Sequence, residues 1–89
     1  MSPADEPKQA LNDTLASFGA RLRARRTELG LSQEAAAIRC GVHSSYYARA
    51  ERGQRSSRIE TVMRLAHGLE TTPGVLLDGL PLDRPSIDD

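Results

Sequence analysis

Three observations predict an all-α fold, a compact bundle of about five helices. Apolar residues recur at three- and four-residue spacing, as at Phe18 and Leu22 and again at Val62 and Ala66. Glycines stand where successive helical segments must stop, at Gly30, Gly41, Gly53 and Gly68. Hydroxyl side chains that cap helix starts precede two of those segments, Ser32 and Thr71 or Thr72. The 89 residues suit one small domain, which removes roughly 60% of the unfolded chain's surface from water.

Residues 1–10 hold two prolines and little that is apolar, and read as a flexible arm. Residues 11–79 form the domain. Its first helix is expected over Phe18–Leu29, with Phe18, Leu22 and Leu29 inward and Arg21, Arg23 and Arg25 on the other sides. Ser32 caps a second helix, Gln33–Cys40, whose inward stripe is Ala36, Ala37 and Cys40. A third opens at His43 or Ser44 and runs to Arg52. The fourth, Arg58–Gly68, has Ile59, Val62, Met63, Leu65 and Ala66 as a broad apolar face. A short fifth helix begins at Pro73, whose missing N–H is harmless in the first turn, and carries Val75, Leu76 and Leu77. Residues 80–89, acidic and with two prolines, read as an irregular tail.

The second and third helices are the informative pair. Gly41 permits the positive φ of a sharp turn, Val42 can plug the corner, and His43, Ser44 and Ser45 can accept from the free N–H groups of a new helix. This is the outline of a helix-turn-helix. Ser45 and Arg49 lie four residues apart, as do Ser44 and Ala48, and form one face opposite Tyr47, Ala50 and Glu51. In a major groove Arg49 can fork onto guanine O6 and N7, the serines can meet several base edges, and Ala48 can touch a thymine methyl. Tyr46 lies between the faces, within reach of a phosphate or a methyl.

A formal net charge of zero conceals segregation. Ten arginines and four glutamates fall between Ser17 and Gly68, while both flanking segments are net acidic. Arginine is the side chain best matched to bidentate contact with phosphate and guanine. The single cysteine makes no internal disulfide and suits a reducing, cytoplasmic setting. Neither a membrane span nor a secretory signal is indicated. Cys40 and His43 have a spacing metals can use, but no further ligand completes a site, so no metal and no cofactor is expected. Without a phosphate loop or a nucleophile with its base, an enzyme is not expected either.

From Phe18 to Leu77, the segments FGARLRARRTELGLSQ, the GV corner, YARAERG and IETVMRLAHGL resemble the Xre-type helix-turn-helix family, which includes phage repressor and Cro proteins. The resemblance implies a lambda-repressor-like domain that binds operator DNA as a two-fold dimer, with reading helices one DNA turn, roughly 34 Å, apart. Carried over by position, Gln33 corresponds to a glutamine that clamps the DNA backbone. Arg52, Arg55 and Arg58 correspond to residues that grip phosphates, and Arg26 and Glu51 to a pair bracing the first helix against the third. His43 stands where a serine or threonine cap is common, with a phosphate contact expected there. Ala36 replaces a larger residue, and Tyr47 is the candidate to fill its volume.

The expected function is a sequence-specific DNA-binding transcription regulator, a repressor acting as a homodimer on double-stranded operator DNA. Val75, Leu76, Leu77 and Leu80 are the expected dimer surface, because they follow the completed bundle. The alternative is an antitoxin or restriction-controller type of protein that also acts through a protein partner.

Overall fold

The computed structural model describes residues 9–82. Among them are five helices and no strand: α1 (Asp13–Glu28), α2 (Gln33–Cys40), α3 (Ser44–Glu51), α4 (Ile59–Gly68) and α5 (Pro73–Leu77). The expected arm up to Lys8, and the tail from Asp83, lie outside the described residues.

α1 begins five residues before the position expected from apolar periodicity. It opens on the polar pair Asp13 and Thr14, and the start is set by a cap: the Asn12 side chain accepts from Leu15 N–H at 2.8 Å. α2 has the expected bounds, with the Ser32 hydroxyl accepting from Ala35 N–H. α5 starts under Thr72, whose hydroxyl accepts from Val75 N–H, with Pro73 in the first turn.

Gly41, at φ +71°, closes α2. Gly41 N–H donates to Ile38 O at 3.2 Å and Val42 N–H to Ala37 O at 3.0 Å, the paired bonds of a left-handed helix cap. α4 ends with the same bonds but without a glycine at the turn: Glu70, at φ +55°, takes the left-handed position. Gly68 ends α4 where expected, but as a helical residue pressed against α2. A Cβ there would lie 2.6 Å from Cys40 Sγ. The strained turn at Glu70 is fastened from outside. Arg25 donates from Nε to Leu69 O at 2.8 Å and from Nη2 to Glu70 O at 2.9 Å, and Arg39 donates to the Glu70 carboxylate. One guanidinium thus satisfies carbonyls that α4 leaves unpaired.

Tyr47, Leu22, Leu65, Leu69 and Leu76 are the largest fully buried side chains, and burying each leucine contributes about 1.5–3 kcal/mol. Tyr47 fills the core cluster that includes Ala36. The apolar face of α4 is narrower than expected. Val62, Leu65 and Ala66 point inward, but Ile59 and Met63 are 80% and 53% exposed, because the stripe that meets α2 and α5 passes through positions 62, 65, 66 and 69. Leu76 has no exposure and is removed from the expected dimer surface: it is the residue by which α5 anchors to its own bundle. Val75 and Leu77 remain outward, and Leu80 is half-buried against the core.

Both ends of the described segment are tied down. Leu11 N–H donates to Gly53 O at 2.8 Å, and Thr14 Oγ1 donates to Pro81 O at 2.6 Å. Gln9 and Ala10, assigned to the arm, therefore run beside the end of α3, and the start of the tail lies on α1.

Candidate nucleic-acid interface

α3 sits where α1 and α2 can fix it from behind. Gly19 makes the approach of α1 possible, since a Cβ there would fall 2.3 Å from Glu51 O. Tyr47, Ala50 and Glu51 face inward, while Ser44, Ser45 and Arg49 are exposed and Ala48 is half-buried. The outward face expected from four-residue spacing is thus brought together on one side of a helix whose other side is locked.

The lock is partly ionic. Arg26 donates from Nε to Glu51 Oε2 at 2.6 Å and from Nη2 to Oε1 at 3.0 Å, a two-pronged pair joining α1 to the last residue of α3. The Glu51 side chain is 3% exposed and that of Arg26 16%. Arg26 Nη1 also donates to Leu31 O at 3.0 Å, so the α1–α2 turn joins the network. Burial alone would raise the Glu51 carboxyl, but hydrogen bonds from Arg26 and Gln33 outweigh it and hold the carboxyl below its ordinary value. The hydrogen bond to Glu51 holds the Arg26 guanidinium above its own. Beside them the Tyr47 hydroxyl is buried without a hydrogen-bond partner among the described residues. Burial, and then the neighbouring Glu51, raise its pKa.

Gln33, matched by resemblance to a backbone clamp, belongs to this network as well. Its Nε2 donates to Glu51 Oε1 at 3.1 Å, so the amide at the start of α2 is oriented by the carboxylate at the end of α3. The periodicity of either helix alone could not have revealed that coupling.

The remaining candidates surround α3. His43 is the N-cap residue of α3, and Arg58 that of α4, but neither side chain makes a capping hydrogen bond. The Tyr46 hydroxyl is hydrogen-bonded to the Ser57 hydroxyl, which ties it to the α3–α4 loop, and the Arg55 guanidinium stands 5.8 Å from its ring centroid. Arg52 is exposed just past α3, with Nε donating to Gln54 Oε1 at 3.2 Å. No helix among the described residues is long and apolar enough to cross a membrane.

A glycine-closed corner between two helices, followed by a braced helix with a polar and arginine-bearing outer face, defines a helix-turn-helix protein of the Xre type. A family model described as a helix-turn-helix domain matches residues 17–80, and the chain belongs to that family. Control protein C.BamHI of Bacillus amyloliquefaciens is 32% identical over 62 residues, spanning 68% of this chain and 76% of that protein. The solved restriction-modification controller protein C.AhdI from Aeromonas hydrophila aligns with a TM-score of 0.68 at 44% identity, covering 70% of this chain and 94% of that one. SinR, a master regulator for biofilm formation solved in complex with DNA, aligns with a TM-score of 0.65 at 31% identity, covering 68% of this chain and 98% of that one.

Proposed function

We propose that this chain is a sequence-specific DNA-binding transcription regulator that occupies a two-fold symmetric operator as a homodimer and represses from it, with α3 in the major groove. The observation that carries this reading is the exposure of Ser44, Ser45 and Arg49 on a helix whose inner side is pinned by Tyr47 and by the Arg26–Glu51 pair. Arg49 and the serines read base edges, with Ala48 against a thymine methyl. Gln33, His43, Arg52, Arg55 and Arg58 hold the backbone. Ile59 and Met63, one turn apart on α4, and Val75 and Leu77 on α5 supply the dimer surface: they are apolar, exposed and on adjoining helices.

Selection of bound duplexes from random DNA tests the reading. The expected product is an inverted repeat with half-sites about one helical turn apart. Arg49→Ala should relax preference at one position per half-site by roughly 1–3 kcal/mol. Arg52→Ala should weaken all sequences alike and flatten the salt dependence by about one phosphate's worth. If both variants lost affinity equally on every sequence, this division of labour would be wrong.

The identity to C.BamHI and C.AhdI favours a particular setting, control of restriction-modification genes. A restriction enzyme gene next to this one, with the selected half-site in its promoter, would support that reading.

A further inference from the structure

Between α3 and α4 lies an open cleft of about 410 Å³. Ser45, Tyr46 and Arg49 form one wall and Thr61 and Arg64 the other, and Arg55, over the Tyr46 ring, also lines it. No carboxylate lines it, and among the described residues none of its three arginines is in an ion pair. Three arginines with no carboxylate among them make the concavity positive, which favours an anion there.

We propose that this cleft holds a DNA backbone phosphate, and that Arg64, on the helix behind the reading helix, is a contact residue for it. The inference deepens the function proposed above and rests on it. An α-helix with its side chains is about 10–12 Å across, and the major groove is about 12 Å wide, so a helix lying in it has a phosphodiester strand along each flank. At 100° per residue Tyr46 and Glu51 lie on opposite flanks of α3. The Glu51 flank is the one beside Gln33 and the start of α2. The Tyr46 flank is the cleft, where the second strand meets Arg55 from the loop and Arg64 and Thr61 from α4, while Arg49 reaches past it to the bases. Arg64 is exposed and makes no hydrogen bond from its side chain among the described residues, so its fork is available to the strand.

The test uses the full chain and a duplex carrying the half-sites selected by the wild type. Arg64→Ala should weaken binding about tenfold near physiological salt and reduce the slope of log affinity against log salt by about 0.9, with the helical circular dichroism spectrum unchanged. Arg64→Lys should restore the slope, and Arg64→Gln should not. A series of duplexes, each with one phosphate replaced by a neutral methylphosphonate, locates the contact. At one linkage on the Tyr46 flank, neutralisation should cost the wild type affinity and the Arg64→Ala variant almost none. Unchanged affinity for Arg64→Ala, or equal losses at every linkage, would overturn the assignment while leaving DNA binding intact. A wild-type chain that bound no duplex would overturn the function, and this inference with it.

Discussion

Replacing Glu51 by alanine removes the acceptor for three donors at once: Arg26 Nε at 2.6 Å, Arg26 Nη2 at 3.0 Å and Gln33 Nε2 at 3.1 Å. Arg26 would keep only its bond to Leu31 O, and its charge would remain in a site where its side chain is 16% exposed. Breaking a buried pair from one side costs about 3–5 kcal/mol, and the partial exposure of Arg26 puts the expected loss near the lower end, about 3 kcal/mol. A domain of this size has about 4–11 kcal/mol of stability in all, so the loss should lower Tm by at least about 12 °C. Urea unfolding followed by circular dichroism at pH 7 measures it directly. The double variant Arg26→Met with Glu51→Leu strands no charge and should recover most of the stability. Acid gives a second check. Because the folded-state pKa of Glu51 is depressed, its contribution is present above the ordinary value of 4.5 and is lost as pH falls through the lower folded value. Wild-type and Glu51→Ala stabilities should therefore converge in acid. A Glu51→Ala chain within about 0.5 kcal/mol of wild type at pH 7 would refute the brace.

Other expectations follow from packing. Gly19→Ala drives a methyl into the Ala50 and Glu51 carbonyls at 2.3–2.5 Å, so it should cost about 3 kcal/mol and also weaken DNA binding. Gly41→Ala meets nothing within 4 Å and bears only the left-handed backbone cost, about 1–2 kcal/mol by the same unfolding assay. Burial pushes the Cys40 thiol up to about 11, so a disulfide reagent at pH 8 should label it slowly in the native chain and rapidly in urea. Ile59→Asp with Met63→Asp should shift sedimentation to the monomer without lowering helix content, since neither residue belongs to the core.

Much of this fold could be read from local chemistry. Ser32 and Thr72 cap the helices expected of them, Gly41 turns where a residue without a Cβ is needed, and α3 divides into an inner and an outer face at four-residue spacing. The misreadings share a cause, which is that they depend on what lies across from a residue in space. Gly68 does end its helix, yet it is also a bearing surface for Cys40, and the left-handed turn falls two residues later at Glu70. Ile59 and Met63 match helical periodicity as well as Val62 does, and only the positions of α2 and α5 exclude them from the core. Arg25 reads as an exposed charge on α1, but besides its local bond to Glu28 it donates to carbonyls more than forty residues away. Of the candidate site, the outward residues of α3 were legible, whereas Arg64 carried no local signal at all.

The stitch between Leu11 and Gly53 has a practical consequence. Gln9, Leu11, Arg49 and Gln54 line one shallow concavity, so Gln9 and Leu11 stand at the rim of the reading helix. A dye or bulky side chain installed at either position would crowd an incoming duplex, and an affinity measured with it would describe the dye as well as the protein.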